Sequence, residues 1–329
     1  MITLINCDVC GTLNFKENNY CTHCGNKLIF EHICPVCGES NSDLATHCIK
    51  CKNQLNPVAI DDFDILFNDF NQNLLENAEI SNEEYNELLS NIFIKVDYSD
   101  ISGKTAKDKI LNIASIFTDC QPKSRGFERG FIFPGNGIYY EERLHDSVQI
   151  ATVIHELAHY LLFHIIETLL CDILKVRSSS TIQSFVWFVI TMPEFKIMSE
   201  FCAHTVEGRF IPYGYQNYGS FNLLVENSGY DEETLNSLIV LGNSFANEII
   251  VYLEKYIDDD LRNDIKLQYM KDQTPLTEES IFLETDECYD LYFKNKFFIS
   301  LLCDVLKGEK LNMETRKELE KIKEGIELG

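Results

Sequence analysis

Positive charge is scarce in this chain: 28 lysines and arginines stand against 52 aspartates and glutamates, giving a formal charge of −24 and a pI of about 4.6. An extended phosphate-binding surface needs Lys and Arg to displace counterions, so binding to nucleic acid or to a membrane surface is disfavoured. The start, "MITLINCDVC", lacks the basic residues and apolar run of a secretory signal. The apolar stretch "TIQSFVWFVITM" (181–192) is too short to span a bilayer and is stopped by Pro193. Neither a glycine-rich phosphate loop nor a Ser-His-Asp pattern stands out. These absences predict a soluble, cytoplasmic protein. Its 329 residues suffice for roughly two domains, and at 45% hydrophobic most of it should fold.

Cysteine, by contrast, is abundant. Of 13 cysteines, eight fall in two copies of C-x2-C-x10-C-x2-C, "CDVCGTLNFKENNYCTHCG" (7–25) and "CPVCGESNSDLATHCIKCK" (34–52). A constant offset of 27 relates Cys7, Cys10, Cys21 and Cys24 to Cys34, Cys37, Cys48 and Cys51, and also pairs Val9 with Val36, Gly11 with Gly38 and Asn14 with Asn41. Two tight knuckles turning paired sulfurs inward complete a tetrahedral zinc site, so the repeat predicts two closed structural zincs and a reducing compartment. His23 and His47 lie beside the knuckles, but each thiolate set is already complete. The region resembles the double zinc ribbon modules of microbial proteins. With four Lys, no Arg and five acidic residues in 1–56, it is read as a protein-contact or regulatory module and not a nucleic-acid binder. Residues 52–62 read as a linker.

Helical spacing of apolar residues follows in 61–81, 82–96 and 104–120. "FIF" and "IYY" around "PGNG" then predict a β-hairpin within 125–144. A helix expected from Asp146 to Lys175 contains "ATVIHELAHYLL" (151–162). His155 and His159, four apart, project one turn from each other on one face and can meet one zinc, while Glu156 is offset toward a metal-bound water. In H-E-x-x-H hydrolases the zinc acidifies that water and polarises a carbonyl, and the glutamate takes the proton. A plain core helix is the alternative, but it leaves a glutamate unexplained among Val153, Ile154, Leu157, Leu161 and Leu162. His164 is 180° around the helix from His155 and is expected to face away.

The third ligand is sought in "MSEFCAHTVEGRFIP" (198–212), where Glu200, His204 and Glu207 share one helical face. Glu200 is the first choice, with His204 beside the metal or against substrate. His204 or Glu207 as ligand, or a merely solvent-facing polar stripe, are the alternatives. "VIHELAHYLL" after a hairpin and before "EFCAHTVEGRFIP" resembles the ImmA/IrrE-type metallopeptidases, which are small gluzincins. The resemblance, over roughly residues 100–215, implies His155, His159 and Glu200 as zinc ligands, Glu156 as base, and Ala203, Phe210, Ile211 and Pro212 as packing positions. The chain departs from that pattern in the 41-residue separation of His159 from Glu200, in His204 where Asn is commoner, and in having ribbons instead of a helix-turn-helix domain.

The predicted fold is α+β and mainly helical: tandem zinc ribbons (1–55), a small gluzincin-like metallopeptidase domain with a short β-sheet (61–220), and a C-terminal helical region (221–329). The predicted function is a zinc metallopeptidase with one catalytic and two structural zincs. Its partners would be a protein or peptide substrate, paired along an open strand edge near 131–140, and a protein bound by the ribbons. The competing reading is a ribbon-based binding or sensor protein with a structural or degenerate H-E-x-x-H site. Tyr139, Tyr140, Tyr213, Tyr215 and Tyr218 are candidate oxyanion donors. Cys120, Cys171, Cys202, Cys288 and Cys303 lack ligand spacing and read as packing groups.

Overall fold

The computed structural model describes residues 4–6, 13–15, 23, 32–33, 40–41, 50, 58–71, 85–86, 89–90, 101–118, 120–124, 130–132, 137–174, 176–273, 285–307 and 313–328. It is mainly helical with short strands. Contacts divide it into two compact units, Met1–Ala59 with Lys175–Arg177, and Ile60–Leu174 with Ser178–Gly329. Apart from 175–177, residues 61–220 and 221–329 thus fall in the same unit.

Among the described residues the first unit holds three strand pairs. β1 (Leu4–Asn6) and β2 (Leu13–Phe15) are antiparallel, as are β3 (His32–Ile33) and β4 (Ser40–Asn41), while β5 (Val58–Ala59) runs parallel to β9 (Val176–Arg177). The two hairpins repeat one register at the sequence offset: Ile5↔Asn14 and Asn6↔Leu13 become His32↔Asn41 and Ile33↔Ser40. The eight ribbon cysteines lie outside the described residues.

In the second unit, α1 (Phe63–Asn71) and α2 (Ala106–Thr118) fall within expected helices; residues 72–84 lie outside the described set, and Tyr85, Asn86, Leu89 and Ser90 are helical. The hairpin is β7 (Gly130–Ile132) with β8 (Gly137–Tyr140), in register Phe131↔Ile138. A strand not foreseen, β6 (Lys123–Ser124), pairs parallel to the other side of β8. The hairpin's second strand is therefore central, and among the described residues β6 and β7 are the two edges of this sheet.

At the centre lies α3 (Asp146–Leu174), which packs against α2, the sheet and four later helices. Lys107 of α2 pairs with Asp146 at 2.6 Å and Asp272 accepts the Ser147 backbone N–H at 3.1 Å, so both neighbours anchor its first turn. By length and composition α3 would suffice to cross a membrane, yet 67% of its most apolar window is buried inside the protein. It is apolar nearly all round because it is surrounded.

The segment 178–195 folds as α4 (Ser180–Ile190), capped by Ser179, whose Oγ accepts the Ile182 N–H at 3.3 Å. After a tight corner, Pro193 opens α5 (Pro193–Phe210), where its missing N–H and fixed φ suit a first helical position. This helix starts five residues before the expected 198. Within the helical region expected over 221–329, α7 (Glu232–Leu253), α9 (Leu291–Lys307) and α10 (Met313–Leu328) match stretches of clear amphipathic spacing, whereas α6 (Gly219–Ser228), which begins just before it, and α8 (Asp259–Asp272) do not. α7 crosses α5 so closely at Gly242 that an added Cβ would stand 2.6 Å from the Met198 carbonyl oxygen.

Candidate metal centre

The α3–α5 contact brings the polar residues of the two helices face to face. His155 and His159 present their Nε2 atoms 3.2 Å apart, and Glu200 completes the triangle, with Oε2 3.5 Å from His155 Nε2 and Oε1 3.8 Å from His159 Nε2. Ligands about 2.1 Å from a tetrahedral zinc stand roughly 3.4 Å from one another, so these three spacings fit the edges of such a site. Two imidazole lone pairs and a carboxylate turned on one point repel unless a cation or proton lies among them.

The opposite ring nitrogens are held from outside. His155 Nδ1 is 3.0 Å from Glu207 Oε2, and His159 Nδ1 is 2.8 Å from Ser199 Oγ. With hydrogen on each Nδ1, His155 donates to Glu207, His159 donates to Ser199, and both Nε2 atoms keep a lone pair for a metal. Glu207 lies one turn beyond His204, whose Nδ1 is 3.4 Å from the same oxygen without hydrogen-bond geometry. His204 Nε2 approaches Ser220 Oγ at 3.5 Å, and its ring sits 4.6 Å from that of His155. His155, His204 and Glu207 form a second group of ligand type, but it shares His155 and uses the nitrogen already bonded to Glu207.

Electrostatics divide the two imidazoles. Burial disfavours a charged His155, but hydrogen bonds to Glu200 and Glu207 and the charges of Glu207 and Glu156 outweigh it and hold its pKa well above the usual range. In His159 burial prevails over the attraction of Glu200, and the pKa drops to about 4. Burial would raise Glu200, yet the His155 hydrogen bond and the histidine charges bring it down to about 2. Glu207 is lowered in the same contest, burial losing to His155 and His204. The shifts thus run toward an ionised Glu200, a neutral His159 and a His155 that holds its proton more strongly than a free imidazole.

Glu156, adjacent to His155, lines two cavities that flank the triangle. One, of about 430 Å³, also carries Thr152, His204, Tyr215, Tyr269 and Gln273. The other, of about 370 Å³, is bounded by Gly130 of β7, Trp187, Ile190, Lys196 and the triangle itself. His164 points elsewhere, its Nδ1 3.1 Å from Glu167 Oε2. Of the candidate tyrosines, Tyr215 reaches the first cavity, Tyr218 packs against His204 with ring centroids 5.5 Å apart, Tyr213 is 81% exposed, and Tyr139 and Tyr140 lie on the central strand. Ser199, Tyr269, Trp187 and Lys196 were not singled out in the sequence. Ser199 directly precedes Glu200, but nothing in the chain marks which serine meets a ring nitrogen. No protein-family model, curated protein or solved structure matches this chain.

Proposed function

We propose that this chain is a zinc-dependent metallopeptidase, with His155, His159 and Glu200 as the ligands of one catalytic zinc and Glu156 as general base. The observation that carries the reading is the triangle of His155 Nε2, His159 Nε2 and Glu200 with Glu156 on the wall of the adjoining cleft. Zinc bound there would supply Lewis acidity, polarising a peptide carbonyl and making a bound water acidic near neutral pH. Glu156 then accepts the proton of the attacking water and passes it to the leaving nitrogen. Glu207 and Ser199 fix the two rings. The edge of β7, whose Gly130 lines the cleft, suits pairing with an extended peptide.

The remaining parts of the proposal are two structural zincs in ribbons over residues 1–55, a gluzincin-like catalytic domain, and a C-terminal helical part. The shared register of the two N-terminal hairpins supports the tandem module. Ribbons and a triangle together call for about three zincs per chain, in a reducing, cytoplasmic setting, with the ribbons contacting a regulator or recruiting a protein substrate. Glu156→Gln is the test. The variant is expected to keep its zinc, measured by atomic emission, and to lose peptide cleavage by about 10²–10⁴-fold. Undiminished cleavage by the zinc-loaded variant would remove Glu156 as base, whereas only two zincs per chain, with no cleavage by the unmodified protein, would favour the alternative of a ribbon-based binding protein.

A further inference from the structure

The cleft has chemically unlike walls. The 430 Å³ side is polar, with Thr152, Tyr215, Asn217 and Gln273. The 370 Å³ side is built by the corner between α4 and α5, where Trp187 and Ile190 give an apolar floor and Lys196 a cation. Lys196 also lines, again with Glu200, a third hollow bounded by Leu223 and Leu224 of α6.

Lys196 lies one helical turn before Glu200 on the same face of α5. Its charge is felt at His159. Lys107 pairs with Asp146, Lys109 with Asp264 and Lys294 with Glu248, whereas Lys196 stands beside the three candidate ligands without such a pair. The Lys196 ammonium is exposed and has no hydrogen-bond or ion-pair partner among the described residues. Glu200, the acidic residue four positions on, turns its oxygens to the imidazoles instead. A free cation so placed, in a chain of net charge −24, awaits an anion brought by a ligand.

We infer that Lys196 is a specificity residue that receives a carboxylate of the substrate, while the apolar stem of the same residue lies on Trp187 and Ile190. The inference rests on the peptidase reading above. The carboxylate is either an acidic side chain next to the cleaved bond or the free C-terminal carboxylate of the peptide, which Lys196 would meet by the same charge-assisted bond. The distant acidic surface opposes such ligands weakly, because physiological salt screens charges beyond about 8 Å.

Peptide hydroxamates, which chelate zinc in place of the scissile amide and are not turned over, provide the test by calorimetry on the zinc-loaded full chain. One pair differs as Glu against Gln, set on either side of the hydroxamate; a second pair differs as free against amidated C-terminus. One carboxylate member should bind about tenfold tighter than its neutral partner, the advantage shrinking as salt rises. The pair that shows it identifies the source. Lys196→Gln should bring that ratio to about one and Lys196→Arg should keep most of it; being a ratio within each variant, it is unaffected by any general loss of affinity. Equal binding within both pairs by the unmodified protein, or a preference that survives Lys196→Gln, overturns the inference and leaves the peptidase reading standing. Absence of all zinc-dependent hydroxamate binding overturns both.

Discussion

The Glu207 carboxylate serves two histidines at once, accepting from His155 and lying beside His204. A carboxylate on the far nitrogen of a metal-binding imidazole fixes its tautomer and strengthens it as a ligand, and losing one typically weakens metal binding about 10–100-fold. On the proposed zinc assignment, Glu207→Gln is expected to lower zinc affinity at the centre by that factor in chelator competition, with any zinc held by the N-terminal cysteines unaffected. The raised pKa of His155 has a second consequence. In the metal-free protein that proton stabilises the fold at low pH, and the contribution is lost as pH rises through the folded-state pKa. Zinc must displace the same proton, whereas His159, with a pKa of about 4, and Glu200, at about 2, are already deprotonated near neutrality. Binding should therefore release about one proton from the three ligands. The thermal stabilisation given by zinc should also grow as pH rises from 6 to 8, as differential scanning calorimetry in the presence and absence of metal would show. A stabilisation that shrinks with pH would contradict the assignment. The H-E-x-x-H spacing was plain in the sequence, since i and i+4 fix two rings on one helical face. Glu207 stood there only as a possible ligand, because its service to the outer nitrogen depends on how α5 crosses α3.

The crossing of α5 and α7 is controlled by Gly242. Alanine there would gain about 1 kcal/mol in helix propensity. Its Cβ would meet the Met198 backbone oxygen, two residues before Glu200, and backbone cannot swing aside as a side chain can. Gly242→Ala is expected to destabilise by about 1–3 kcal/mol, read from the urea midpoint, and to weaken zinc binding by moving Glu200. At the start of α7, Asp231 accepts the Thr234 N–H at 2.8 Å, and Asp231→Ala should lower the urea midpoint with no effect on metal affinity. Most long helices were legible because their apolar periodicity is strong. α8 was not: its sequence "DDLRNDIKLQYMKD" has only Leu261, Ile265 and Tyr269 as a buried stripe, so the polar majority hides the pattern. β6 escaped because two residues that pair in parallel with a distant strand carry no local signal.

The second unit as a whole is tied together by a buried charge. Lys294 on α9 is 1% exposed and reaches Glu248 on α7 and, at 2.7 Å, the Tyr85 hydroxyl; that hydroxyl donates to Glu248 Oε2 at 2.9 Å. The ammonium also lies 4.2 Å above the Tyr85 ring and 4.4 Å from that of Phe245. Burial lowers the Lys294 pKa to about 8, with Glu248 opposing the fall. One partner left alone in such a place is far worse than none. Lys294→Met should cost about 3–5 kcal/mol in chemical denaturation, and adding Glu248→Gln should recover a large part of it. Additive losses would mean that the two residues do not act as a pair. α10 closes another side of this unit, where Arg316 pairs with Asp64 at 2.5 Å and Lys323 donates to the Asp61 carbonyl at 2.9 Å.

By itself the sequence determined the helical class, the tandem cysteine repeat and the pairing of His155 with His159. Each is written in local spacing, and for the two histidines helix geometry turns that spacing directly into direction. Only the tertiary structure decided that Glu200 meets the imidazoles while Glu207 and Ser199 hold their outer nitrogens, and that β7 is the edge beside the cleft. It also placed Lys196 and Trp187 on the cleft wall. Those relations depend on how separate helices cross, and a crossing is set by the packing of α3, α4, α5 and α7 against one another, which no single stretch of the chain encodes.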